Sequence, residues 1–302
     1  MKGAKLDAKA AIPRDGWFAS VTRLLNGFFG TGWDELAADS GEAEDFDPLI
    51  YSLWRGMVPP RPLWEVPGDP FVHFVRWAFE YRAYLPLLCG LARDSVVLEL
   101  GCSFGRTMLG LIGYLKAPGR YEGFDAIAAR IEFAQKHIHS VYNEFNFTFA
   151  NVYNARYNAS PGAIAPERFR FPYADNTFDV AYAASLFTHL LPSAVENYFR
   201  ETRRTLKKGA KCLFSFFILD YYRGPGTSAW VGYEFNHALP GVEGIAIMDK
   251  DLPENSVAYR SELIAETARR SGFSLNQILP GDWSKSAKVA VHEQDLVVLQ
   301  AV

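Results

Sequence analysis

Cysteine is scarce in this 302-residue sequence, with only Cys89, Cys102 and Cys212 present. Three scattered thiols are too few for a disulfide framework or a thiolate metal site, and they fit a reducing compartment. No run of 18 uncharged apolar residues occurs, so no membrane span is expected. Charge of one sign is lacking too. The 31 Lys and Arg against 34 Asp and Glu give −3, without the basic excess that a nucleic-acid backbone would call for. Lys2, Lys5 and Lys9 have no apolar core behind them, so the first residues do not read as a signal peptide and a cytoplasmic location is expected. Internal repeats, a serine elbow, zinc spacing and a phosphate loop are all missing. His137 and His139 lie two apart on an expected helix and point about 200° apart, which does not suit a shared metal.

What the chain does have is aromatic residues: 7 Trp, 15 Tyr and 23 Phe, or 15% of the sequence. Five of the seven Trp (17, 33, 54, 64 and 77) precede residue 90. Residues 13–33 read as an aromatic amphipathic helix, with Trp17, Phe18, Val21, Leu24, Leu25 and Phe28 at helical spacing. Residues 34–47 carry seven acids and no base, which suits a solvated linker. In 58-VPPRPLWEVPGDP-70 each proline removes a donor and restricts its predecessor, so a regular helix is excluded. Helix resumes from about Phe71 to about Leu88.

From residue 95 short β-rich runs alternate with helical patterns. The runs are 96-VVLEL-100, 121-YEGF-124, 145-FNFTFA-150, 178-FDVAYA-183 and 211-KCLFSFF-217, with helices near 105–116, 127–139 and 193–206. Such alternation implies parallel pairing through right-handed crossovers. A helix at about 261–271 and strands near 274–280 and 295–301 close the chain. The interval 218–258 has no clean period and reads as a loop-rich insertion. Residues 1–90 are therefore expected to be a helical N-terminal cap, and 91–302 a single α/β domain.

The sharpest local signal is 96-VVLELGCSFGR-106, a buried strand running into a glycine turn with a helix expected after Gly105. Small residues let backbone approach a ligand, and a helix N-terminus favours a negative group. A dinucleotide fingerprint needs G-x-G-x-x-G, which is absent here.

In this motif the sequence resembles the class I S-adenosylmethionine-dependent methyltransferases, over about residues 90–219 and 256–302. ELGCSFG is similar to the family's E/D-x-G-x-G-x-G, with Ser103 for the middle glycine. Asp125, ending 121-YEGFD-125, stands where the family places its ribose-binding acid. The run 147-FTFANVYN-154 resembles the third strand and adenine turn, with Asn151 where Asp is more usual. The stretch 171-FPYADNTFDVAYAASLFTHLLP-192 resembles the approach to strand four. Finally, 203-RRTLKKGAKCLFSF-216 resembles R-x-LKPGG, with Lys208 for Pro and Ala210 for Gly.

The resemblance implies an α/β, doubly wound, seven-stranded and mostly parallel sheet, with its last strand antiparallel and S-adenosyl-L-methionine across the carboxyl ends of strands one to four. It implies cofactor contacts from Glu99, Gly101, Cys102, Gly105, Asp125, Ala126, Asn151, Val152 and Ser185. Asp125 would accept the two ribose hydroxyls, and Asn151 and Val152 would border the adenine. Cys102 is expected to present backbone as a small filler. Plainer roles stay open: conformational glycines, Asp125 as a helix cap, Asn151 as a turn residue.

Methyl transfer from a sulfonium is an in-line displacement that depends on alignment, and a base helps only when the acceptor must lose a proton. His189, just past strand four, is the expected catalytic base, and a core histidine is its alternative. Asp220, Tyr221, Tyr222 and His237 are further acceptor-facing candidates. No metal is expected. The expected acceptor is a small molecule of aromatic, apolar or glycosidic type, received by the N-terminal cap and the 218–258 insertion. Oxygen is the expected acceptor atom, with nitrogen and carbon open. A non-catalytic methyltransferase-like binding subunit and a different S-adenosylmethionine-dependent reaction are the rival readings, and a homo-oligomer is left open.

Overall fold

The computed structural model describes residues 71–227, 233–286 and 290–302, with Met57 and Pro59. The expected helix over 13–33, the acidic stretch 34–47 and all of 58–70 but Pro59 lie outside the described residues. Arg76–Val302 forms one compact unit.

Helix α1 spans Phe71–Tyr84 and continues as a wider π-helical turn through Leu85–Cys89, ending at Gly90 in the left-handed region. Ala78, Tyr81 and Leu85 are fully buried, at the three- and four-residue spacing that places side chains on one helical face. Strands β1 (Val96–Leu100), β2 (Arg120–Asp125), β3 (Phe145–Phe149) and β4 (Phe178–Ala183) follow, with helix α2 (Ala128–Ala134) between β2 and β3. Helix α3 (Pro192–Thr205) leads directly into the long strand β5 (Leu206–Ile218). After the short strands β6 (His237–Ala238), β7 (Ile245–Ile247) and β8 (Val257–Tyr259) come helix α4 (Ser261–Arg270) and strands β9 (Phe273–Leu279) and β10 (Asp295–Ala301).

The main sheet runs β3-β2-β1-β4-β5-β10-β9. Its first five strands are parallel, and β10 is antiparallel to both neighbours. This is the expected seven-stranded plan, but the expected count needs correction to ten strands among the described residues. The insertion is not simply loop. The last two residues of β5, Phe217 and Ile218, pair with β8, which carries β7 and β6 in antiparallel order. Strands of two or three residues leave no period in a sequence; their pairing is decided by the free end of β5.

The two-residue period of the strands separates the faces. Leu98, Leu100, Phe124, Ala181, Ala183, Phe214 and Phe216 join Val195, Phe199, Ile264 and Ala268 of α3 and α4 in one core. Tyr182, between Ala181 and Ala183, instead meets Tyr81 of α1, ring centroids 5.4 Å apart.

A second correction concerns the helix expected over 105–116. Only a 3₁₀ turn, Met108–Leu111, forms there. Gly110 abuts α1, where an added Cβ would lie 2.1 Å from the Ala78 carbonyl oxygen, and Gly113 takes φ +73° and ends the turn. Close approach to α1 thus replaces a regular helix, and the helix-dipole argument for this loop falls with it.

Candidate functional site

The carboxyl ends of β1, β2, β3 and β4 meet at one edge of the sheet, held together by hydrogen bonds between their loops. Gly101 and Cys102 both donate their N–H to the Phe124 carbonyl at 3.0 Å. Ser103 donates its N–H to Asp125 Oδ2 at 2.8 Å, and Ile127 donates to Oδ1 at 2.9 Å. Asp125 thus fixes both the β1 turn and the entry to α2. Ala126, half-buried, lies between these two attachments. From β3, the Ala150 N–H reaches the Asp125 carbonyl at 2.9 Å.

The turn itself runs through left-handed backbone at Gly101 (φ +71°), Ser103 (φ +53°) and Gly105 (φ +88°). A Cβ on Gly101 would approach Leu186 Cδ1 to 3.1 Å, and one on Gly105 would meet Met108 Sδ at 2.9 Å. Glycine is therefore favoured at Gly105 by its left-handed backbone, and a side chain there would also have to displace the end of Met108. Ser103 is tied down by Arg130, whose Nη1 donates to its Oγ at 3.1 Å. Cys102 is buried, and desolvation holds its thiol well above the ordinary range. It is filler and not a nucleophile.

Beneath the turn lies a buried polar network. Glu99, 1% exposed, accepts from Tyr121 OH at 2.5 Å and Tyr182 OH at 2.7 Å on Oε2, and from the Thr107 hydroxyl on Oε1. Desolvation pushes its carboxyl up to about 7, against the pull of these three donors and Arg106. The partners come from β2, β4 and the residue preceding the 3₁₀ turn, so Glu99 joins the strands that frame the site.

On the β3 side, Asn151 Oδ1 accepts from Asn158 Nδ2 at 3.0 Å, and the same nitrogen reaches the Val152 carbonyl at 3.0 Å. Val152 itself is buried in the core. Past β4, Ser185 takes φ +58°. Its N–H donates to Ser215 Oγ at 2.7 Å, and its Oγ accepts from Gln294 Nε2 at 2.8 Å.

His189 is 7% exposed. Its Nδ1 lies 3.1 Å from the Glu254 carbonyl oxygen and 3.0 Å from that of Asn255, so Nδ1 carries the proton of the neutral ring and Nε2 its lone pair. The Tyr157 ring meets it edge-on at 5.2 Å. Among the other candidates, Asp220 Oδ2 accepts the N–H of Ser261 at the start of α4, at 2.7 Å. Tyr222 stacks on Trp283 at 5.8 Å, and His237 is exposed on β6. Among the described residues no group of three or more His, Cys, Asp or Glu is arranged to hold a metal.

Sequence reasoning missed the residues that support the site from other parts of the fold: Thr107, Tyr121, Tyr182, Ser215, Gln294 and Asp295. Asp295 is buried at the start of β10, accepting from Ile218 N–H, Gly281 N–H and Trp283 Nε1, each at 2.7 Å. Burial raises its carboxyl to about 6 despite these donors. No local motif signals such residues, because their partners lie far away in sequence.

The strand order, with left-handed turns and an acid gathered at the carboxyl edge, defines an open α/β fold of the Rossmann-like class, in which ligands as a rule bind at that edge. Residues 98–214 match the model of the methyltransferase domain family. The fold is shared with a chain from the complex of the Haloferax volcanii Trm112 methyltransferase activator with a methyltransferase: 12% identity, 76% of this chain and 91% of that one, TM-score 0.50. An S-adenosylmethionine-dependent methyltransferase from Mesorhizobium loti matches at 18% identity over 73% of this chain and 95% of its own, TM-score 0.48. Geranyl diphosphate C-methyltransferase from Streptomyces coelicolor, in complex with Mg2+, geranyl diphosphate and S-adenosyl-L-homocysteine, matches at 13% over 73% and 78%, TM-score 0.48. Among the described residues no helix is long and apolar enough to cross a membrane.

Proposed function

We propose that this protein binds S-adenosyl-L-methionine at the β1–β4 edge and transfers its methyl group to an oxygen of a small-molecule acceptor. The observation that carries this reading is the Asp125 carboxylate at the end of β2, bonded to Ser103 N–H within the glycine turn. The residues fit the cofactor. Asp125 accepts a backbone N–H on each carboxylate oxygen beside the glycine turn, and a carboxylate there is the acceptor type that a pair of ribose hydroxyls calls for. Gly101 and Gly105 keep side chains off the turn, so backbone can approach the amino-acid portion, as can Ala126 and Cys102 by their backbone. Asn151, oriented by Asn158, and Val152 border the adenine. Glu99, buried beneath the turn and bonded to Thr107, Tyr121 and Tyr182, acts through the turn it carries.

The cofactor, when bound, supplies an activated methyl on a sulfonium. The protein's part is to align the acceptor and to hold its proton. His189 performs the second task, its ring anchored at Nδ1 by the two carbonyls of the 253–255 turn. The acceptor is received next to the 218–258 insertion. Beneath the insertion Phe217, Phe235 and Trp283 pack in a buried aromatic cluster with centroids 4.9–5.5 Å apart.

Isothermal titration of the purified protein with S-adenosyl-L-methionine and S-adenosyl-L-homocysteine tests the reading, with mass spectrometry of product formed from a panel of hydroxylated small molecules. Saturable binding of both cofactors and a product heavier by one methylene support it. A protein that binds neither sinks it.

A further inference from the structure

Ser185 is one of four described residues other than glycine in the left-handed region, and it lies two residues past the strand whose end borders the site. Serine is strained there, and such a conformation persists only where the surroundings over-determine it. Here they do. The Ser185 N–H donates to Ser215 Oγ at 2.7 Å, the Ser215 hydroxyl donates to Gln294 Oε1 at 2.6 Å, and Gln294 Nε2 donates back to Ser185 Oγ at 2.8 Å. The Ser185 hydroxyl is then left its own proton for Thr188 Oγ1, at 3.3 Å. The ring is closed, with Ser185, Ser215 and Gln294 each donating to the next, and Ser215, Thr188 and Gln294 are buried.

The ring spans three separate parts of the fold. Ser185 lies past β4, Ser215 is near the end of β5, and Gln294 immediately precedes β10. The conformation it fixes has a consequence next door. Leu186 leaves Ser185 packed against Gly101, close enough that a Cβ there would sit 3.1 Å from Leu186 Cδ1. The turn after β1 and the loop after β4 are thereby held at one spacing.

We infer that Gln294 and Ser215 form a latch that positions the Ser185 loop for the amino-acid end of the sulfonium cofactor. The inference rests on the proposed function and names two positioning residues for it. They need not touch the ligand; they hold the backbone that does. Because the latch acts on one loop, its loss should be felt by ligands that carry the amino-acid chain and not by those that lack it.

Titration calorimetry with two ligands separates these cases: S-adenosyl-L-homocysteine, and 5′-methylthioadenosine, which lacks the amino-acid chain. Gln294→Met keeps the buried volume and removes the latch. It should weaken S-adenosyl-L-homocysteine binding by roughly tenfold, the worth of about one good hydrogen bond in binding, and leave 5′-methylthioadenosine unchanged. Adding Ser185→Gly should restore the lost affinity, because glycine adopts the left-handed backbone without help. Ser215→Ala should reproduce the selective loss and stands in if Gln294→Met does not fold. Equal weakening of both ligands, or no weakening, or no rescue by Ser185→Gly overturns the latch while the wild type still binds. A wild type that binds neither ligand refutes the cofactor reading and the latch together.

Discussion

The carboxylate of Asp125 accepts the backbone N–H of Ser103 across 2.8 Å, joining the end of β2 to the glycine turn after β1. One side chain therefore shapes the turn and, in the proposed function, also holds the ribose. Asp125→Ala removes both contributions. S-adenosyl-L-homocysteine affinity should fall by tenfold or more, since charge-assisted hydrogen bonds are the strong ones. Calorimetry showing unchanged affinity would remove Asp125 from the cofactor site.

Ser103 occupies a left-handed position within this turn. Ser103→Gly should leave cofactor affinity within about threefold of wild type, because glycine relieves the backbone strain while losing only the Arg130 contact. A large loss would show that the serine side chain, not the backbone shape, is what the ligand needs.

Glu99 gives a pH dependence to stability. Its folded value of about 7 lies above the ordinary 4.5, so the folded protein holds this proton more tightly. The associated stabilisation is present below about 4.5 and is lost as pH rises through about 7. Asp295, raised from 3.8 to about 6, has the same sign over a lower window. Glu99→Gln should flatten the decline in urea midpoint between pH 4.5 and 7 and leave the lower portion. An unaltered slope would show that Glu99 does not titrate there.

Asp295→Ala strands three N–H donors at the point where β5 parts from β10 and joins β8. A loss of about 3 kcal/mol or more is expected, from buried donors left unsatisfied. Denaturant unfolding followed by Trp fluorescence measures it. A change below about 1 kcal/mol would mean that water replaces the carboxylate.

His189→Gln can still donate to the 253–255 carbonyls but cannot accept a proton at neutral pH. If His189 is the base, kcat should drop on the order of 10²-fold or more with KM and cofactor affinity retained. A variant whose kcat is unchanged, or that falls only with its thermal stability, returns His189 to a positioning role between the β4 loop and the insertion.

Much of the scaffold was legible before any coordinates. The strands at 96–100 and 178–183, and the order of elements beyond residue 95, followed from apolar runs separated by helical patterns. Glycine and acid spacing brought Gly101, Gly105 and Asp125 to attention, and these do meet at one edge. The helix expected over 105–116 failed because Gly110 serves contact with α1 and Gly113 turns left-handed, demands that helical periodicity cannot express. The strands β6–β8 were invisible because two or three residues carry no period.

The sequence by itself determined the layered α/β plan and the place of the glycine turn, since burial patterns and turn residues act locally along the chain. Only the tertiary structure decided what holds that turn and its neighbour in shape. Glu99 finds Tyr121 and Tyr182, and Ser185 finds Ser215 and Gln294, across gaps of 22 to 109 residues. A buried polar group must be satisfied by whatever the fold brings beside it, and which group that is depends on strand order, not on sequence distance.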